Sequence, residues 1–149
     1  MKKKQIKLRV VSHTEGNDEF DAGEKESEFT DITTTAELSM SGDRVVIEYD
    51  EVLSSGDDTV THTAISFDKN SPNVIFLTRT GDVQMTCVIE EKTRYRFSYD
   101  VGFAVFELIA AGKKVKNSLL DTSGTLKMSY DVEMHGMMIR TCDMRVTII

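Results

Sequence analysis

Apolar and polar residues alternate one by one along most of this chain, and this alternation constrains the fold more than any other feature. Residues 125–133, TLKMSYDVE, place four apolar side chains on one face of an extended strand and polar side chains on the other. The same period of two occurs in residues 4–11 (KQIKLRVV), 44–51 (RVVIEYDE) and 93–100 (TRYRFSYD). Each segment therefore predicts a half-buried β-strand that faces one core.

Turn signals rich in glycine, aspartate, asparagine and serine separate the alternating segments. They lie at residues 41–43, 54–58, 70–73, 80–82 and 135–136. Strands therefore recur about every ten to twelve residues, which is typical of an all-β sandwich or barrel. The only proline, Pro72, falls in one of the predicted turns. At 149 residues the chain can bury one core without a metal or disulfide, and we expect a single domain, residues 1–149.

Two segments depart from the alternation. Residues 103–114, FAVFELIAAGKK, have apolar residues on both parities, so they fit either a strand or a short helix that ends at the glycine. Residues 15–28, EGNDEFDAGEKESE, are rich in acids and have no apolar period, which predicts a solvated loop between the first two strands.

The charge of the chain argues against two classes of partner. Eighteen basic and 25 acidic residues give a formal net charge of -7, which opposes binding to nucleic acid and to anionic membranes. The basic N-terminus is interrupted by Lys7 and Arg9 where a signal peptide has an apolar core, so we expect a cytoplasmic protein. In that reducing compartment, Cys87 and Cys142 are expected to be free buried thiols.

Residues 78–102, TRTGDVQMTCVIEEKTRYRFSYDVG, combine basic, aromatic and glycine residues of the kinds found in anion-binding sites. The sequence lacks the glycine-rich run that opens a helix in a phosphate loop, and the lysine and hydroxyl that follow it. Gly81 and Asp82 instead join two apolar runs, which predicts a tight hairpin. Arg94 and Arg96 alternate with aromatic residues, so we expect them on the solvent face of their strand.

The sequence contains no dense metal-binding or catalytic motif. Its three histidines lie on different segments, and Asp131, Glu133 and His135 share a polar face, so we expect no metal ion and no cofactor. Nucleophile-elbow, zinc-protease and dinucleotide fingerprints are absent from the sequence. A catalytic group assembled from distant residues is left open, but no motif supports an enzyme.

Several weak features follow one another in a particular order along the chain. They are Tyr49 and Glu51, a threonine-rich strand with Thr61 and Thr63, Arg79 and Gly81, Gly102, and a final strand pair in residues 124–149. This order resembles the small bacterial calycin-like β-barrel proteins of the YwiB type, whose function is uncharacterised. The resemblance implies a lipocalin-like up-and-down barrel of about eight to ten antiparallel strands, with residues 103–111 as strand. The chain departs from the family pattern at residues 99–101, where Tyr-Asp-Val replaces a Thr-Pro-aromatic turn.

A closed barrel of this size encloses a lumen that is filled by side chains or by one small ligand. Strand parity aims Glu51, His62 and Arg140 into that lumen, where each must pair, line a solvated mouth or meet a ligand. We expect an ion pair between Glu51 and Arg140 near one barrel end, with a ligand role as the alternative. The candidate ligand-binding residues are Tyr49, Glu51, His62, Arg79, Tyr95, Tyr130 and Arg140.

Two functional hypotheses from different classes follow. The first is a module that binds a small apolar or amphipathic ligand in the lumen, where aromatic and methionine side chains give an adaptable wall. The second is a solidly packed barrel whose edge or acidic surface meets another protein. A cavity above about 300 Å³ favours the first and a packed interior favours the second. A weaker third hypothesis is enzymatic chemistry at Glu51 and His62, which requires the two groups within hydrogen-bond reach.

Overall fold

The structure, a computed structural model, describes residues 2–16, 27–52, 60–81, 83–119 and 123–149. Within those ranges the regular elements are all β-strands. The strands are β1 (Lys2–Gly16), β2 (Ser27–Ser41), β3 (Arg44–Val52), β4 (Val60–Asp68), β5 (Ser71–Thr80), β6 (Met85–Ile89), β7 (Arg94–Asp100), β8 (Val105–Asn117), β9 (Thr125–Met134) and β10 (Met137–Ile148). In this part of the chain, no helix is long and apolar enough to cross a membrane.

The ten strands form one antiparallel sheet in the order β6-β5-β4-β3-β2-β1-β10-β9-β8-β7. The first strand pairs with the last, so the two edge strands of this order, β6 and β7, face each other. Two backbone hydrogen bonds link Gln84, the residue just before β6, to Asp100, the last residue of β7: Gln84 N–H donates to Asp100 O at 2.9 Å, and Asp100 N–H donates to Gln84 O at 3.0 Å. The sheet is therefore a nearly closed up-and-down barrel, which confirms the predicted fold.

The core lies inside this barrel and follows from the period-two pattern. The register Val10↔Val146↔Leu126 places three buried side chains side by side on adjacent strands. Ile47 and Ile65 are paired in the same way and are fully buried. Because apolar residues on the inner parity remove their surface from water on every strand, the alternation itself drives the closure.

Residues 103–114 hold a strand rather than a helix, because β8 begins at Val105 and continues beyond this segment. Its apolar residues occupy both parities because the outer face also carries apolar side chains, the exposed Val105 and the half-buried Ile109 and Ala111. The β8–β9 register shifts at a bulge between Gly112 and Lys114. Leu108 and Ala110 point inward before this bulge, and Val115 points inward after it. The helix alternative is therefore wrong, and the pattern is ambiguous because the outer face of this strand is partly apolar.

Gly112 also fastens the β6–β7 turn to the barrel. Its N–H donates to Thr93 O at 3.0 Å, and its carbonyl oxygen accepts from Lys92 N–H at 3.0 Å. A Cβ at this position would overlap the carbonyl oxygen of Glu90. A glycine is thus required by the close approach of two backbones.

Two predicted boundaries are wrong. The loop expected over residues 15–28 is shorter, because β1 continues through Gly16 and β2 begins at Ser27; residues 17–26 lie outside the described residues. Pro72 is the second residue of β5 rather than part of a turn, a position in which a missing N–H is tolerated. The turns predicted at 54–58 and at Asp82 fall on residues that the structure does not describe.

Candidate functional site

The lumen contains a cavity at the end of the barrel where β5, β7 and β9 end and β6, β8 and β10 begin. We call this space the lumen cavity; its volume is about 290 Å³. Its wall is mostly apolar and includes Met85, Phe97, Leu108, Tyr130 and Val132. The volume lies at the boundary between the two functional hypotheses, so the chemistry of the wall has to decide between them.

Arg79 and Arg140 are the charged residues of this wall in the described part of the chain. Arg79 follows Ile75 and Leu77 at alternate positions of β5, and these two side chains are fully buried, so the arginine points the same way into the lumen. Arg140 lies near the start of β10, beside a bulge in the β9–β10 pairing that follows Met138. Its side chain is exposed at the mouth of the cavity and forms no ion pair with another described residue.

A carboxylate lies behind Arg79. Glu51 is only 8% exposed, and its Oε1 accepts a hydrogen bond from Thr63 Oγ1 at 2.9 Å. Arg79 Nε is 3.9 Å from the same oxygen, which is close enough for an ion pair but too long for a hydrogen bond. Register places Tyr49, Thr63 and Arg79 directly opposite one another on β3, β4 and β5. Arg79 Nε and Tyr49 OH are both buried without a hydrogen-bond partner in the described structure.

Burial keeps the other polar groups of the site uncharged near pH 7. It raises the pKa of the Cys87 thiol to about 12, although Arg79 opposes the shift. Burial also raises the pKa of Tyr130 well above its ordinary value, and it raises the pKa of the Cys142 thiol. For Arg79, burial lowers the pKa, but the adjacent Tyr130, Glu51, Tyr49 and Cys87 groups together raise it, so the guanidinium keeps its charge.

The structure brings five of the seven candidate residues together at this end of the barrel: Tyr49, Glu51, Arg79, Tyr130 and Arg140. The expected ion pair between Glu51 and Arg140 is wrong, because the cation beside Glu51 is Arg79. Parity correctly aims Arg140 at the lumen, but the residue lies at the rim, whereas Glu51 is held deeper by its threonine.

His62 faces the outside of the barrel, so its predicted inward orientation is wrong. Its Nδ1 lies 2.7 Å from Asp50 Oδ1 and its Nε2 lies 3.3 Å from Glu48 Oε1. These hydrogen bonds, to Asp50 first and Glu48 second, raise the pKa of His62. Glu51 and His62 therefore lie on opposite faces of the sheet, and the contact that the enzymatic hypothesis required is not formed.

The inward orientation of His62 was wrong because the alternation of β4 was assigned to the wrong face. The sequence interpretation grouped His62 with Val60 and Ala64, but the inward residues of this strand include Thr61, Thr63, Ile65 and Phe67. The two large apolar side chains, Ile65 and Phe67, were the signal that could have found these threonines. An inward threonine on this strand supplies the hydroxyl that satisfies the buried carboxylate.

Tyr95 also lies apart from the lumen cavity. It is half-buried near the start of β7, and its OH donates to Glu90 Oε1 at 2.8 Å. This hydrogen bond is the first cause of the raised pKa of Tyr95. The contact accounts for the hydroxyl without a ligand.

The two cysteines match the predicted free thiols, although only one of them is fully buried. Cys87 and Cys142 are free thiols, the first buried and the second half-buried, and both contribute to the cavity wall. Asp131 and Glu133 face cations on other strands: Asp131 Oδ1 lies 3.1 Å from the Lys113 ammonium of the neighbouring β8, and Glu133 pairs with an arginine of β7, on the far side of β8. The described residues include no group of three or more potential ligands that could hold a metal ion.

Comparisons with known proteins agree with this architecture. Residues 14–146 match a protein family described as a domain of unknown function, DUF1934. The crystal structure of the ywiB protein from Bacillus subtilis is similar, with a TM-score of 0.74 and 20% sequence identity over 98% of this chain and 91% of that chain. At this identity the likeness shows the fold alone. A search of curated proteins finds no match.

Proposed function

The chain belongs to the DUF1934 family of unknown function, and we propose that it is a binding module that takes a small amphipathic molecule into the lumen. The observation that carries this proposal is a mostly apolar cavity of about 290 Å³ whose wall includes two guanidinium groups. Small-molecule sites usually combine an apolar wall with a few placed polar groups.

A second candidate function is protein binding at the mouth of the barrel. Apolar side chains are exposed on the two hairpins beside the lumen cavity. Phe103 is 90% exposed on the β7–β8 hairpin, and Met137 and Met138 are exposed on the β9–β10 hairpin. Val105 and Phe106 extend this apolar rim along the start of β8. Exposed apolar groups around a cavity mouth suit either a partner protein or the entry of an apolar ligand.

Calorimetry with decanol tests the first candidate, because this probe has an apolar chain and a small neutral head group. Val132→Phe fills the lumen cavity, whereas Val11→Phe adds the same ring to the outer face of β1. We expect wild type and Val11→Phe to bind decanol alike, and Val132→Phe to bind it at least about tenfold more weakly. Equal binding by both variants would place decanol outside the lumen and contradict the proposal.

A further inference from the structure

The charges of the described residues around the lumen cavity do not balance. Its described wall carries two cations, Arg79 and Arg140, and no carboxylate. Glu51 lies behind Arg79, 3.9 Å from its Nε, and offsets one of the two positive charges. The outer cation, Arg140, is paired with no described residue. Among the described residues, Arg140 therefore has no negatively charged partner, and its exposed guanidinium is accessible to an anion at the mouth.

No other described group of the wall supplies a negative charge. The thiols of Cys87 and Cys142 and the phenol of Tyr130 have raised pKa values because they are buried, so all three are neutral near pH 7. Charges near apolar surroundings are costly unless they are paired, and a buried donor without an acceptor is costly as well. Arg79 Nε is such a donor.

We propose that the ligand of the lumen cavity is an amphipathic monoanion, a carboxylate or an equivalent singly charged head group on an apolar body. This inference rests on the proposed binding function and names the class of ligand. Arg140 contacts the head group at the mouth, Arg79 provides the inner positive charge, and the apolar body packs among Phe97, Leu108 and Val132.

The other two classes of head group fit this wall less well. A cationic head group would meet two guanidinium groups and would be repelled by both. A neutral head group could accept a hydrogen bond from Arg140 but would bring no negative charge to the guanidinium. A guanidinium and a carboxylate, by contrast, form two parallel N–H···O bonds.

Isothermal titration with decanoate, decanol and decylamine tests the head group, because the three probes share one apolar chain and differ in charge. Arg140→Met removes the outer cation. Because the Arg140 side chain is exposed, we expect this variant to keep the fold. Arg145→Met is the matched control: it lies on the same strand, is exposed on the outer face and undergoes the same change. Arg140→Lys keeps the charge and loses the planar fork.

We expect wild type and Arg145→Met to bind decanoate at least about tenfold more tightly than decanol, and decylamine most weakly. Arg140→Met should lose most of the decanoate preference, and Arg140→Lys should retain part of it. Equal binding of decanol and decanoate by wild type would overturn the inference but not the binding function. A decanoate preference that persists in Arg140→Met would overturn it as well. Binding of none of the three probes would contradict the proposed function itself.

Discussion

Replacing Arg79 with methionine should destabilise the protein by about 3–5 kcal/mol, because the change leaves the carboxylate of Glu51 buried without its cation. Glu51 is 8% exposed, and its Oε1 lies 3.9 Å from Arg79 Nε. Two unit charges at that separation attract each other by about 4 kcal/mol at an effective dielectric constant of about 20. Methionine retains an apolar stem that packs against the lumen wall, so the lost charge dominates the change.

A double-mutant cycle isolates this attraction, with the free energy of unfolding taken from urea titrations followed by circular dichroism. Glu51→Gln keeps an acceptor for Thr63 Oγ1. The variant with both Arg79→Met and Glu51→Gln should therefore be at least about 1 kcal/mol more stable than the sum of the two single-variant losses predicts. The control combines Arg79→Met with Glu48→Gln on the outer face of the same strand as Glu51, and it should be additive within about 0.5 kcal/mol. Additive losses for the Glu51 pair would refute the ion pair and with it the charge count of the lumen.

Three further predictions concern other parts of the barrel. Because the pKa of His62 is raised, its stabilising contribution is present below about pH 6.5 and is lost as pH rises through the folded pKa. Urea titrations should therefore show that His62→Gln loses more unfolding free energy at about pH 5.5 than at about pH 8.5. The loss should stay below about 1 kcal/mol, since the site is exposed. Gly112→Ala should lower the unfolding free energy by at least about 2 kcal/mol more than Gly42→Ala, since only the former forces a Cβ into a backbone carbonyl; equal losses would contradict the close approach. Peptide mapping after iodoacetamide treatment at pH 8 should show Cys142 alkylated faster than Cys87, whose pKa is raised to about 12, and the reverse order would contradict their burial.

The barrel could be predicted from the sequence because its strands carry their burial pattern locally. In β9, residues 125–134, each inward position is apolar and each outward position is polar or charged, so parity alone gives the face. The same reasoning correctly aimed Tyr49, Glu51 and Arg140 at the lumen. These assignments need no knowledge of the neighbouring strands.

The errors occur where a face is decided by contacts between distant residues. In β4 both parities contain apolar residues; the large Ile65 and Phe67 take the inner face, and Thr63 on that face then satisfies Glu51 on the neighbouring strand. The partner of Glu51 is likewise set by register: Thr63 stands opposite Arg79, whereas Arg140 is on a strand across the lumen. Periodicity carries no information about such pairings. It could therefore identify charged residues that face the lumen but not which of them form an ion pair.

Native mass spectrometry of the protein purified from its own host tests the central claim most directly, because a ligand carried in the lumen adds its mass to the intact protein. We expect wild type and Val11→Phe to carry a small amphipathic anion that is released under denaturing conditions, and Val132→Phe to carry none. Wild-type protein found at the mass of the bare chain, together with no binding of decanoate or decanol in solution, would contradict the account.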